Sequence, residues 1–163
     1  MKNGESVDIL LVEDNPNDRD LMVRIFRKHN IPMPIHVAEN GKEAVDFIFG
    51  RDPYEERSGA MLPKVIFLDL NLPKMNGLEV LRSIKTDDRT RHIPVVIVTS
   101  SQEETDVRNA YALGANGYVV KPLDFDAFSA SMGTMATYWI DVNYPPGNLN
   151  LNIHTQPMQG ATA

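Results

Sequence analysis

Five short apolar runs alternate with segments whose apolar residues recur at helical spacing, and this alternation organises the chain. The first run, Asp8–Val12, is apolar through Ile9-Leu10-Leu11-Val12 and ends on Glu13-Asp14. Asn15 then offers a helix cap and Pro16 a first helical position, with Leu21, Met22, Ile25 and Phe26 forming a buried face up to about Asn30. A second strand, roughly Ile35–Ala38, leads through Asn40-Gly41 to a helix burying Ala44, Val45 and Ile48 and closed by Gly50. Val65–Leu68 is apolar throughout, stops at Asp69 and turns through Pro73 and Asn76-Gly77, which suits a strand buried on both faces. Leu78–Lys85 reads as the third helix, with Leu78, Leu81 and Ile84 inward, and Ile93–Thr99 as the fourth strand. Ser101 to Glu104 has the spacing of a capping box for a helix carrying Val107, Ala110 and Tyr111 and ending at Gly114. Gly117–Val120 is the fifth strand, running into Lys121-Pro122, and Asp124 caps a final helix.

Strands alternating with helices in this way predict an α/β fold, a doubly wound five-stranded parallel sheet with five helices. One domain is expected over residues 7–142, followed by a tail over 143–163 containing Pro145-Pro146-Gly147. Arg51–Pro63 is polar with two prolines and reads as a surface loop, of a length that is either functional or mobile. In the last helix Phe125, Phe128, Met132, Met135, Trp139 and Val142 alternate by three and four residues. The first three are expected to pack on the sheet. The remainder, together with Tyr111, is expected to form a symmetric homodimer interface through Tyr111, Met135, Trp139 and Val142, with the tail reaching the partner.

Composition narrows the chemistry. A net charge of -6 with scattered Lys and Arg argues against a nucleic-acid surface. With no Cys among 163 residues, disulfides, thiolate metal sites and a Cys nucleophile are excluded. No apolar run approaches the ~20 residues of a membrane span, and the first residues lack a signal-peptide pattern. A cytoplasmic protein with no membrane contact is expected. His29, His36, His92 and His154 are dispersed and read as surface or structural.

In open α/β sheets ligands bind at the carboxyl ends of the strands. Glu13, Asp14, Asp69, Thr99-Ser100-Ser101 and Lys121-Pro122 all fall at that edge. Three carboxylates brought together repel, so they need a cation or must take up protons. Hard oxygen donors with open positions suit Mg2+, with the Asn71 backbone carbonyl as a natural further ligand. Asp69 is a candidate nucleophile for a phosphoryl group, forming an acyl phosphate. The Lys121 ammonium and the Thr99 hydroxyl would supply charge and a hydrogen bond to it.

The pattern Glu13-Asp14, Asp69-x-x-x-Pro73-x-x-x-Gly77, Thr99 and Lys121-Pro122 resembles the receiver domain of two-component response regulators, from about Val7 to about Ile140. The resemblance implies a flavodoxin-like sheet of order 2-1-3-4-5 and transfer of a phosphoryl group from a sensor histidine kinase to Asp69. Glu13, Asp14, Asp69 and the Asn71 carbonyl would hold Mg2+, and Lys121 would contact the phosphoryl group. Thr99 would shift to bond it while Tyr118 turns inward as the second half of a switch. Lys121-Pro122 would be cis. With no output domain after the last helix, a single-domain regulator or phosphate shuttle is expected. The long loop and Met132-x-x-Met135-x-x-Tyr138-Trp139 look more like the response regulators paired with bacterial and cyanobacterial phytochromes.

The serious alternative is a Mg2+-dependent phosphatase of the haloacid-dehalogenase class, which places a second acid two residues after its nucleophile. Here that residue is Asn71, so an acyl phosphate should persist, with Asn71 and Ser101 tuning slow hydrolysis. A flavin binder would need a Ser/Thr/Gly-rich phosphate loop where this chain has Glu13-Asp14-Asn15-Pro16-Asn17-Asp18, and is rejected.

Overall fold

All four strand pairings are parallel, in the order β2-β1-β3-β4-β5, with β1 at Ile9–Val12, β2 at Ile35–Ala38, β3 at Val65–Leu68, β4 at Val95–Thr99 and β5 at Gly117–Val120. The computed structural model describes residues 7–31 and 34–146. The helices are α1 (Pro16–Lys28), α2 (Gly41–Phe49), α3 (Gly77–Thr86), α4 (Glu104–Ala112) and α5 (Phe125–Thr137). A 3-10 turn, Glu55–Arg57, precedes β3, and a π-helical turn, Tyr138–Val142, extends α5.

Alternate residues of a strand point to opposite faces, and this splits the core into two layers. Leu10, Val12, Ile66 and Leu68 pack against α2 and α3, while Ile9, Leu11, Val65 and Phe67 pack against α1 and α5. Since β1 and β3 are central and covered on both sides, every residue in them is buried, which is why they read as unbroken apolar runs.

Register carries this packing to the site. Val12 stands beside Leu68, and Thr99 beside Val120. The next residues, Glu13 and Asp69 on adjacent strands and Lys121 two strands away, therefore leave the sheet at one edge.

Several local expectations are corrected. The Ser101–Glu104 capping box does not form: Glu103 is the cap residue of α4 and makes no side-chain bond to it. Ser101 lies too far ahead of the first turn, and its Oγ instead donates to Asp106 Oδ2 at 2.5 Å. The reciprocal box is found at α3, where Asn76 accepts from the Glu79 N–H (3.0 Å) and Glu79 accepts from the Asn76 N–H (2.9 Å). Phe125 is 51% exposed rather than packed on the sheet. It opens α5, beyond the reach of the core, and Phe128, Met132, Ala136 and Ile140 take the buried face. Among the described residues the cis X-Pro bond lies at Asp52-Pro53, not at Lys121-Pro122. The Lys121 N–H bonds the Thr99 carbonyl at 2.8 Å, so the extended pairing of β5 runs on to the proline.

The segment Arg51–Pro63 is only partly a surface loop. Its Arg57 is buried, with the guanidinium 3.8 Å over the Phe47 ring, and His36 stacks on Phe47 at 3.7 Å. Tyr54 meets Phe47 edge-on at 5.4 Å and donates its hydroxyl to Glu43 at 3.0 Å. A polar composition hides this packing because an Arg can cover an aromatic face while bonding carbonyls, here those of Phe47 (3.4 Å) and Met61 (3.3 Å). The expected tail falls mostly on residues 147–163, which lie outside the described residues.

Candidate functional site

Glu13, at the end of β1, is 2% exposed, and Asp69, at the end of β3, is 6% exposed, while Asp14 faces solvent. One oxygen from each of these three carboxylates lies within 4.8 Å of the others. Carboxylate oxygens grouped this closely suit a single small divalent ion such as Mg2+. Three hard carboxylate oxygens, one of them open to solvent, match that ion's preference for acids plus retained waters. Asn71 follows on the loop, with its N–H donating to Asp69 Oδ1 at 3.1 Å.

Lys121 closes the other side. Its Nζ donates to Glu13 Oε2 (2.6 Å), Asp18 Oδ2 (2.9 Å) and Asp69 Oδ2 (3.0 Å). Burial disfavours the ammonium, but the bonds to Glu13 and Asp18 and the charges of Asp69 and Glu13 outweigh it and raise its pKa above the usual lysine value. For Glu13, burial dominates and pushes the carboxyl up to about 7, against the opposing bond and charge of Lys121.

The loop carrying Asp69 into α3 leaves no room for a side chain at Gly77. A Cβ there would stand 2.2 Å from the Asp69 carbonyl oxygen and 2.6 Å from Leu70 Cα. The Gly77 N–H bonds the Leu70 carbonyl at 2.9 Å, and Lys74 takes a left-handed φ of 66° to complete the turn. The Asp69-to-Gly77 spacing is thus the spacing of a tight return that holds the acid in place.

Thr99 is fully buried, and its Oγ1 accepts the Ser101 N–H at 3.3 Å. Tyr118 is half-buried and donates its hydroxyl to the Ser101 carbonyl at 3.1 Å. Burial raises the Tyr118 phenol pKa. Ser101 is therefore gripped by both residues, one on each side of its backbone.

Of the residues expected at a subunit interface, Tyr111 is 52% and Val142 66% exposed, whereas Met135 and Trp139 pack partly into their own core. The sequence reading missed Asp18. An acid at the third residue of a helix is ordinarily accounted for by the helix dipole, so its position alone gave no cue to the Lys121 contact.

Residues 9–132 match the profile of the response regulator receiver domain. The chain is 39% identical over 139 residues to the probable methanogenesis regulatory protein FilR2 of Methanothrix harundinacea, an alignment covering 85% of this chain and 87% of that protein. It is 35% identical over 134 residues to the response regulator Rcp1 of Synechocystis sp., covering 82% of this chain and 88% of Rcp1. The Mn2+-bound crystal structure of Rcp1 superposes with a TM-score of 0.78 at 33% identity, covering 85% of this chain and 97% of that one. The phosphorylated cyanobacterial phytochrome response regulator RcpA gives a TM-score of 0.79 at 31% identity, covering 86% of this chain and 99% of that one. With the five-stranded order 2-1-3-4-5 and an acidic edge facing a lysine, the chain belongs to the response regulator receiver domain family.

Proposed function

We propose that Asp69 accepts a phosphoryl group from the phosphohistidine of a sensor histidine kinase. The carrying observation is that Lys121 Nζ lies 3.0 Å from Asp69 while Glu13 and Asp14 flank the same carboxylate. An Asp69 oxygen would attack phosphorus, forming the acyl P–O bond as the P–N bond breaks and the imidazole leaves with the electron pair. Glu13, Asp14, Asp69 and the Asn71 carbonyl would hold Mg2+, whose charge offsets that of the phosphoryl oxygens. Lys121 would keep its ammonium beside the acceptor, donating to the arriving oxygens.

The switch follows from competition for one hydroxyl. If Thr99 turns to bond the phosphoryl group, the Ser101 N–H loses its acceptor and the Ser101 segment is freed. Tyr118, bound to the Ser101 carbonyl, would follow it inward. The haloacid-dehalogenase alternative is disfavoured because Asn71 can neither protonate a leaving group nor deprotonate water. The acyl phosphate then outlasts the transfer and only slow self-dephosphorylation remains.

Likeness to RcpA, by its name a phytochrome response regulator, supports a phytochrome-type kinase as the partner. Exposed Tyr111, Tyr138 and Val142 support a homodimer through α4, β5 and α5. No helix among the described residues is long and apolar enough to cross a membrane. A cytoplasmic location is part of the proposal and follows from the histidine-kinase partner.

The test is incubation with a small acyl or amido phosphate donor and Mg2+. Mass spectrometry should show one added phosphate, absent in Asp69→Asn. Repeated turnover of a generic phosphoester would instead favour the phosphatase. Transfer from a phytochrome histidine kinase, set against a kinase without a chromophore module, tests the partner. A monomer by sedimentation in both phosphorylation states would remove the dimer.

A further inference from the structure

One carboxylate at the site has no part in this scheme. Asp18 stands in the first turn of α1, outside the three acids whose oxygens converge for a cation, yet its Oδ2 is 2.9 Å from Lys121 Nζ. An ammonium has three protons, and here each has a carboxylate acceptor: Glu13, Asp18 and Asp69. Two of those acceptors belong to the proposed cation cluster. A dication there would draw on the same oxygens and repel the ammonium. Asp18 is the one acceptor that a metal leaves free.

Its position is held independently of Lys121. The Asp18 N–H donates to the Asn15 side chain at 3.2 Å. Arg19, next in the chain, donates to the carbonyls of Glu13 (3.4 Å) and Asp14 (3.2 Å), fastening the first turn of α1 to the strand end that bears the acids.

We propose that Asp18 is a positioning residue, a tether that holds the Lys121 ammonium beside the acidic cluster so that ammonium and divalent cation are bound together. This inference rests on the phosphoacceptor reading and adds to it the means by which two cations share one small site. Without Asp18, the acceptors left to the ammonium among the described residues are the cation's own ligands. Lysine and metal then compete. Removing a carboxylate that merely added negative charge would weaken the metal equally whether or not Lys121 is present.

The difference is measurable by titrating Mg2+ calorimetrically into the full chain, as wild type, Asp18→Asn, Lys121→Met and the double variant, each first shown to be folded by circular dichroism. Asp18→Asn should weaken Mg2+ about tenfold when Lys121 is present, the scale of one charge-assisted hydrogen bond, but about twofold or less in Lys121→Met. Equal factors in the two backgrounds overturn the tether. With a small phosphodonor, Asp18→Asn should raise the Mg2+ concentration for half-maximal phosphorylation while excess Mg2+ restores the maximal rate. A lowered maximal rate with unchanged Mg2+ dependence also overturns it. Failure of the wild type to bind Mg2+ would remove the phosphoacceptor reading itself, whereas wild-type binding without coupling removes the tether alone.

Discussion

Replacing Glu13 by Gln should make the metal-free protein more stable at neutral to alkaline pH, at the expense of its metal site. Glu13 is 2% exposed and its pKa is raised to about 7 from an ordinary 4.5, with burial the dominant cause. The folded state therefore binds more protons than the unfolded state between those two values. Stability from this group is complete below about 4.5 and is lost as pH rises through about 7. The rise from 4.5 to about 7, at about 1.36 kcal/mol per pH unit, gives about 3 kcal/mol of strain above about pH 8. Screening by water at the open Asp14 side reduces this to about 1–2 kcal/mol. Gln keeps the shape, still accepts from Lys121 and removes the buried charge. In urea with EDTA at about pH 8, the variant's midpoint should rise by about 0.5–1 M. The advantage should vanish near about pH 4.5, where both states carry a neutral side chain. Millimolar Mg2+ should then favour the wild type, since a ligand that binds only the folded state adds RT ln(1 + [L]/Kd). A Glu13→Gln protein less stable than wild type in EDTA at alkaline pH would refute the claim that this carboxylate is held under electrostatic strain until a cation arrives.

Mg2+ affinity should itself fall as pH drops below about 7, approaching tenfold per unit, because Glu13 must lose its proton to serve as ligand; a pH-independent Kd between about 6 and 8 would contradict this. His36, stacked on Phe47, has its pKa lowered by burial from 6.5 to about 4, so the folded chain binds fewer protons than the unfolded one and loses stability as pH falls through that window. After allowance for its partial exposure, urea melts at about pH 5 should cost the wild type about 1 kcal/mol more than they cost His36→Gln. Gly77→Ala should destabilise by about 2–4 kcal/mol and slow phosphorylation, because its Cβ would displace the Asp69 carbonyl. Equal melting temperatures for wild type and Gly77→Ala would show that the loop can yield.

Much of the architecture could be read from residue order alone. Central parallel strands must be apolar on both faces, so β1, β3 and β4 announce themselves as the apolar runs of Asp8–Val12, Val65–Leu68 and Ile93–Thr99, although β4 itself begins at Val95. Asn15-Pro16 and Asn40-Gly41 mark helix starts because caps are local, set within three or four residues, whereas Asn76-Gly77, expected as a turn before a helix at Leu78, is the cap and first residue of α3. The convergence of Glu13, Asp14, Asp69, Thr99 and Lys121 on one edge was legible too, since parallel strands share a carboxyl end.

What distance along the chain could not reveal is which neighbour each side chain chooses. Ser101 has the spacing of a capping box, but α4 starts at Glu104 and the Ser101 hydroxyl donates to Asp106 instead. Arg57 is polar by composition, yet Phe47 and His36 on other elements give it a buried stack. Along α5, spacings of three and four fit both a coiled-coil seam and a globular face; the sheet beneath selected Phe128, Met132, Ala136 and Ile140 and left Phe125 exposed. Asp18 joined the site only because α1 begins directly above Lys121, more than 100 residues later in the chain. Caps, periodicity and strand ends follow from covalent neighbours, whereas the partner of a charged group is settled by low-dielectric contacts that exist only after the layers have packed.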